Sequence, residues 1–171
     1  MNGFSTMCIE KAAKPILAST AAARTDVGRR REHNEDQVLV CPDLGLFVVA
    51  DGMGGHASGD VASKMSTEVV GEFYRHSRNA NATWPFRYDP TRSFAENRMI
   101  ASVRLANERI HYASQRNRSQ RGMGTTVVVF HLNGHDGYVG HVGDSRCYRV
   151  RNGSIKALTR DHSLLEDYKE A

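Results

Sequence analysis

Cysteine is scarce in this sequence: Cys8, Cys41 and Cys147 are the only three among 171 residues. Their odd number and lack of any short paired spacing argue against a disulfide framework and against a zinc ribbon, so they are read as buried or idle thiols. Aromatic residues reach only 8%, and no basic stripe interleaves with them, although the formal charge is +4. Arg29-Arg30-Arg31 and the stretch from Arg116 to Arg121 therefore read as solvated faces, and nucleic acid is not expected as a partner. No apolar run approaches the roughly 18 residues of a membrane span. Near the N-terminus, Lys11 and Lys14 precede Pro15 to Ala23, a faint likeness of a signal peptide. Only Ile16 and Leu17 there are strongly hydrophobic and Glu10 lies upstream, so a cytoplasmic, reducing compartment is expected. The glycine-rich stretch from Gly52 to Gly55 lacks a Gly-Lys-Ser/Thr ending, which argues against a P-loop. Zinc on a helical His pair is excluded too, because Asn133-Gly134 between His131 and His135 is a hairpin signal. Internal repeats and low-complexity segments are lacking as well.

What is present suits one domain. A chain of 171 residues and 19.0 kDa, 40% hydrophobic and 25% charged, has the balance of an ordinary globular protein with a sizeable core. Residues 1–24 read as a poorly ordered lead-in and residues 25–171 as the domain. Gln37–Cys41 and Leu46–Ala50 read as strands whose short connection, Pro42-Asp43-Leu44-Gly45, favours antiparallel pairing. From Asp60 to Arg75, Val61, Met65, Val69 and Phe73 recur every fourth position, as an amphipathic helix packed on a sheet requires. Between Ser77 and Arg92 periodicity is lost, and Trp84 and Phe86 are expected to anchor a loop. Ser93-Phe94-Ala95-Glu96 has capping-box spacing and opens a second helix, carried to Arg116 by Met99, Val103, Ala106, Ile110 and Ala113, with its arginines in water. Four strands then follow, Thr125–His131, Tyr138–Val142, Arg146–Val150 and Ile155–Leu158, with joins at Asn133-Gly134, Gly143-Asp144 and Asn152-Gly153. The expected class is α+β, helices covering a largely antiparallel sheet.

The chemistry centres on Asp51, which ends the apolar run Leu46–Ala50 and precedes Gly52-Met53-Gly54-Gly55-His56. Taken alone, this reads more readily as a glycine-rich turn with a solvated acid, since turn chemistry favours Asp and Gly for local reasons. Its companions change the reading. Arg31-Glu32-His33-Asn34-Glu35-Asp36 sets a cation and two adjacent acids before one strand, and Asp144 follows another. Three acid-bearing strand ends, from distant positions, can thereby converge on one sheet rim. Carboxylates and glycine carbonyls without thiolates suit a hard divalent cation, magnesium or manganese over zinc or copper. An oxygen between two such ions becomes a nucleophile near neutral pH, and Arg31 can grip a phosphate through paired hydrogen bonds. Together they describe a phosphoryl hydrolase.

Arg31-x-x-Asn34-Glu35-Asp36, Asp51-Gly52-Met53-Gly54-Gly55-His56-Ala57, Gly122-Met123-Gly124-Thr125-Thr126 and Gly143-Asp144-Ser145-Arg146 resemble the motifs of the metal-dependent, type 2C protein serine/threonine phosphatases, the bacterial branch above all. They stand in the family's order, and Arg160-Asp161-His162-Ser163-Leu164 is similar to a further family segment. The resemblance implies two stacked antiparallel β-sheets flanked by α-helices, with two or three manganese or magnesium ions in a cleft at one end. It implies that Asp51 bridges two ions, that Gly52 lends its carbonyl, and that Glu35 and Asp36 hold one ion directly or through water. Asp144 would serve an additional ion, and Arg31 would bind the substrate phosphate. It further implies attack by a metal-bridged hydroxide on phosphoserine or phosphothreonine in proteins, with His56 as acid for the departing alkoxide and a cognate serine/threonine kinase as the opposing enzyme.

The family pattern continues through a mobile flap and two later aspartates, whereas this sequence stops at Ala171. Asp161 and Asp167 lie in neither a Ser-Asp-Gly nor an Asp-Asn context, so no ligand role is carried over to them. A C-terminally incomplete domain is therefore expected, with one metal position short of ligands and with uncovered sheet edges that favour self-association. Two readings stay open: an active phosphatase, or a weakly active or inactive domain that binds metal or phosphoproteins.

Overall fold

The computed structural model describes residues 19–54, 58–79 and 82–163. Residues 19–24, the described end of the expected lead-in, are exposed and lack regular structure, and the rest of that lead-in lies outside the described residues. Strand β1 (Asp36–Cys41) and strand β2 (Leu46–Met53) pair antiparallel through a single 3-10 turn, Pro42–Leu44. Gly45 closes that turn with its N–H on the Pro42 carbonyl at φ +57°, a conformation that suits glycine. Any side chain there would also strike the Leu132 carbonyl. The turn thus fixes the register in which Cys41 faces Leu46 and Asp36 faces Asp51.

Two helices follow, α1 (Gly59–His76) and α2 (Phe94–Arg116). The capping box at the start of α2 is complete: the Ser93 hydroxyl accepts from the Glu96 N–H, and the Glu96 carboxylate accepts from the Ser93 N–H. The loop between the helices is held as expected by Trp84, whose ring meets Phe73, Tyr88 and Phe94 edge-on. Short β3 (Gly124–Thr125), β4 (Val127–Asn133) and β5 (Asp136–Val142) complete a main sheet of order β1-β2-β4-β5, with β3 also on β2. Strands β6 (Tyr148–Arg151) and β7 (Ser154–Ala157) form a separate antiparallel ribbon. Its turn, Asn152-Gly153, has φ +52° and +74°, the left-handed pair that a two-residue hairpin requires.

The core lies between the helices and one face of the main sheet. Leu46, Val48, Val127 and Val129 project into it and meet Val69, Val70 and Tyr74 of α1 and Met99 and Ala106 of α2. Strand alternation sends Phe47, Val49 and Asp51 to the other face, where Phe47 stacks on Phe130 at 6.0 Å and Val49 is exposed. Helices bury one side of the sheet, and the opposed pair Asp36 and Asp51 stands on the other.

Four expectations are corrected. The single strand Thr125–His131 is two strands, because β3 pairs with β2 beyond Asp51 while β4 pairs with β2 before it. At the end of β4, Asn133 is still paired with Asp136, so the turn residues there are Gly134 and His135. Gly143-Asp144 is not a hairpin, since β5 belongs to the main sheet and β6 to the ribbon. Nor do all the arginines of α2 stay in water. Arg98 is only 8% exposed, its Nε donating to the Ser77 hydroxyl at 2.7 Å, its Nη2 to the Tyr74 carbonyl, and its guanidinium lying 4.3 Å from the Tyr74 ring centroid. These partners lie at the end of α1, where unpaired carbonyls and the negative end of the helix dipole draw a cation.

The burial pattern separates a supporting residue from an incidental one. Leu46→Ala should destabilise the fold by about 3 kcal/mol, because it empties a fully enclosed site. Ile155→Ala, on the exposed ribbon, should change stability by less than about 0.5 kcal/mol. Urea unfolding of the two variants measures the difference.

Candidate active site

The site is assembled where β1 begins and β2 ends. The sequence suggests that Asp51 terminates its strand, yet β2 continues through Gly52 and Met53, which pair with Thr125 and Gly124 of β3. The acid is therefore held on both flanks. On one side it faces Asp36, and on the other its N–H donates to the Thr126 hydroxyl at 3.1 Å while its carbonyl accepts from the Thr126 N–H at 2.9 Å. Opposed residues of an antiparallel pair share a sheet face, so two carboxylates meet there.

Gly52 points the other way, toward α1. A Cβ at this position would lie 2.0 Å from the Gly59 carbonyl oxygen and 2.7 Å from that of Glu35, so no other residue fits between β2 and the helix start. The Gly52 N–H donates to the Glu35 carbonyl at 3.1 Å, and the Ser63 hydroxyl of α1 donates to the same oxygen at 2.5 Å. Glu35 is thereby tied to strand and helix together. Its carboxylate lies against Gly59, the first residue of α1, where the helix dipole favours negative charge. Arg31 reaches the same carboxylate at 3.6 Å from the solvent side. Before them, the Asn34 side chain accepts from the Asp36 N–H at 3.0 Å and donates to the Thr25 hydroxyl at 2.7 Å, fixing the entry into β1.

Electrostatics record the convergence. Partial burial pushes the Asp51 carboxyl above the usual carboxylate range, and the neighbouring Asp36, by its charge and by a hydrogen bond with Asp51, pushes the same way. Arg31 opposes this, and Asp144 adds the smallest push. Arg31, Asp36 and Asp144 thus all lie within electrostatic reach of Asp51, with Glu35 and Gly52 beside them. Among the described residues, no group of three or more His, Cys, Asp or Glu side chains closes into a cage for a metal ion. The donor chemistry nonetheless fits a hard divalent cation: the neighbouring donors are oxygens, and their charge exceeds what Arg31 offsets. His56 lies outside the described residues.

Two contributors carry roles that the sequence does not disclose. Thr126 belongs to a glycine-rich motif, and its hydroxyl lies between the Asp51 N–H and the Ser145 hydroxyl, 2.7 Å from the latter. Asp161 forms a paired ion bridge to Arg146, with Nε 2.9 Å from Oδ1 and Nη2 2.6 Å from Oδ2. The only sequence signal for either is a hydroxyl or an acid next to a glycine-rich or charged motif.

Comparison with known proteins bears on the same region. Residues 27–168 match the protein phosphatase 2C family. The serine/threonine phosphatase stp of Listeria welshimeri is 33% identical over 150 residues, a match covering 86% of this chain and 56% of that protein. Among solved structures, the Mycobacterium tuberculosis serine/threonine phosphatase PstP/Ppp superposes with a TM-score of 0.71 at 30% identity, covering 87% of this chain and 57% of that one. The catalytic domain of the serine/threonine phosphatase PstP in complex with two manganese ions gives 0.69 at 30% identity, covering 87% and 58%. The chain thus spans somewhat more than half the length of the relatives it matches. With the family's motifs gathered at one end of an antiparallel sheet and the match running through nearly all of the described residues, this chain belongs to the protein phosphatase 2C family.

Proposed function

We propose that this chain hydrolyses phosphoserine and phosphothreonine in proteins, with manganese or magnesium as cofactor. The observation that carries the reading is the register of β1 and β2, which sets Asp36 opposite Asp51 with Arg31 and Asp144 beside them. The relative with bound manganese supports the choice of metal. In this reading the Asp51 carboxylate, the Gly52 carbonyl and the Glu35 and Asp36 carboxylates would hold divalent cations, and Asp144 would hold a further one. Bound there, divalent cations would neutralise the acids and make water acidic enough to act near neutral pH. Arg31, exposed on the solvent side of its ion pair with Glu35, would exchange that partner for a phosphate and orient it through two parallel hydrogen bonds. His56 stands five residues beyond Asp51 as the proton donor to the leaving oxygen.

The reading extends to a cytoplasmic setting in which the chain opposes a serine/threonine kinase. Free thiols at Cys41 and Cys147 agree with a reducing compartment. Among the described residues, no helix is long and apolar enough to cross a membrane. Self-association through sheet edges belongs to the same reading, supported by Val150 and Ile155, which are 72% and 71% exposed. Sedimentation equilibrium should then give a dimer, and a monomer at all concentrations would remove this part.

Release of phosphate from a phosphothreonine peptide should require manganese and should fall at least about a hundredfold in Asp51→Asn. Arg31→Ala should chiefly raise KM, by about tenfold, as loss of a charged hydrogen bond to phosphate would. Tight peptide binding without turnover would overturn the enzymatic reading.

Stability without metal gives an independent check. Because the folded state raises the Asp51 carboxyl, folding takes up a proton there, and the ionised form is penalised. This penalty is absent below the carboxylate's unfolded pKa and grows as pH rises through the folded one. In chelator, Asp51→Asn should therefore melt above the unsubstituted chain near neutral pH. The gap should close on acidification through the carboxylate range. Calorimetry across that range reads the effect, and a gap of the opposite sign would contradict the crowding of acids around Asp51.

A further inference from the structure

We propose that Thr126, Ser145 and the Arg146–Asp161 ion pair are positioning residues that fix Asp144 relative to Asp51. The proposal rests on the phosphatase reading of this site. Asp144 lies on the link between β5 and β6, outside every strand, so no ladder hydrogen bonds set its place. Six contacts do so instead.

The first runs through a hydroxyl pair. Thr126 Oγ1 accepts from the Asp51 N–H at 3.1 Å and lies 2.7 Å from Ser145 Oγ, so one threonine touches the residue that carries the central acid and the neighbour of the outer one. The second is steric: Gly143 has φ +99°, and a Cβ there would come within 2.7 Å of Thr126 Cγ2. The link can approach Thr126 only because residue 143 has no side chain.

The other four contacts come from the segment after β7. Asp161 holds Arg146 through both carboxylate oxygens, a two-point geometry that resists rotation. His162 donates its N–H to the Gly143 carbonyl at 3.0 Å and accepts from the Gly143 N–H through Nδ1 at 3.3 Å. The His141 Nε2 meets the Arg160 carbonyl at 2.5 Å, and the Thr159 hydroxyl accepts from the Cys147 N–H at 2.9 Å. Residues 159–162 therefore lie as a strap along residues 141–147, gripping the link on both sides of Asp144. Asp161, which has no ligand role in this reading, instead clamps the loop that carries an acid of the site.

Two measurements on the full chain test this. Hydrogen exchange reports the amides of Gly143 to Cys147, and electron paramagnetic resonance counts manganese bound from solutions of the metal alone. Ser145→Ala and Asp161→Asn should each speed exchange across Gly143 to Cys147 about tenfold and leave α1 unchanged. Each should also weaken about tenfold the part of manganese uptake that Asp144→Asn removes. Thr126→Ser, which keeps the hydroxyl, should behave as the unsubstituted chain, whereas Thr126→Val should not. Added to Asp144→Asn, Ser145→Ala should change manganese binding no further. Unchanged exchange in Ser145→Ala and Asp161→Asn would overturn the proposal. So would weakened manganese uptake that persists undiminished in the Asp144→Asn background. An unsubstituted chain that binds no manganese would instead remove the phosphatase reading, and exchange alone would then decide whether the strap holds the loop.

Discussion

Asp36 and Asp51 are held opposite one another by the pairing of β1 with β2, and this forced meeting of like charges is the constraint around which the rest of the structure is arranged. Opposed acids on a sheet face repel, and nothing in an ordinary fold would select them. Their register is not free to slip. It is pinned at the far end by the Pro42–Leu44 turn and Gly45, and along its length by Leu46, Val48 and Ala50, which must all face the helices. A slip of one residue would bury Asp51 under α1 and bring Val49 out of step, so hydrophobic burial on one face maintains repulsion on the other.

Division of labour between the two faces explains how such a site is tolerated. Burial of Leu46, Val48, Val129 and the helical residues packed on them stabilises the sheet without reference to the acids. Backbone hydrogen bonds then carry the repulsion. Glu35 is tied through its carbonyl to both Gly52 and Ser63, and Asp51 through its main chain to Thr126, so the carboxylates are placed by peptide groups that do not ionise. A divalent cation would remove the remaining repulsion, which places metal binding and stability on the same residues.

What can be read from the sequence is local or periodic. Ser93 and Glu96 declare a capping box three residues apart, and Asn152-Gly153 declares its turn, because the interactions involved close within a few residues. The acids of the site are legible as types, since Asp and Glu beside strand-like runs have few reasons to occur there. Continuation of β2 past Asp51 is not legible, because its partner is the distant Gly124–Thr125 pair and glycines beside an acid suggest a turn. Burial of Arg98 is hidden for a related reason: on α2 alone it lies off the apolar stripe, and only the end of α1 packed against it supplies acceptors. Thr126 gives no sign of its bridging hydroxyl, which acquires meaning only when Asp51 and Ser145 are brought to it from either side.

In the proposed reading, oxygens gathered around Asp51 hold divalent cations, and anomalous diffraction from crystals of the chain soaked in manganese tests this most directly. A peak is expected against the Asp51 carboxylate and the Gly52 carbonyl, and it should vanish in Asp51→Asn. A fully soaked crystal with no peak beside Asp51, or with an undiminished one in the variant, would contradict it.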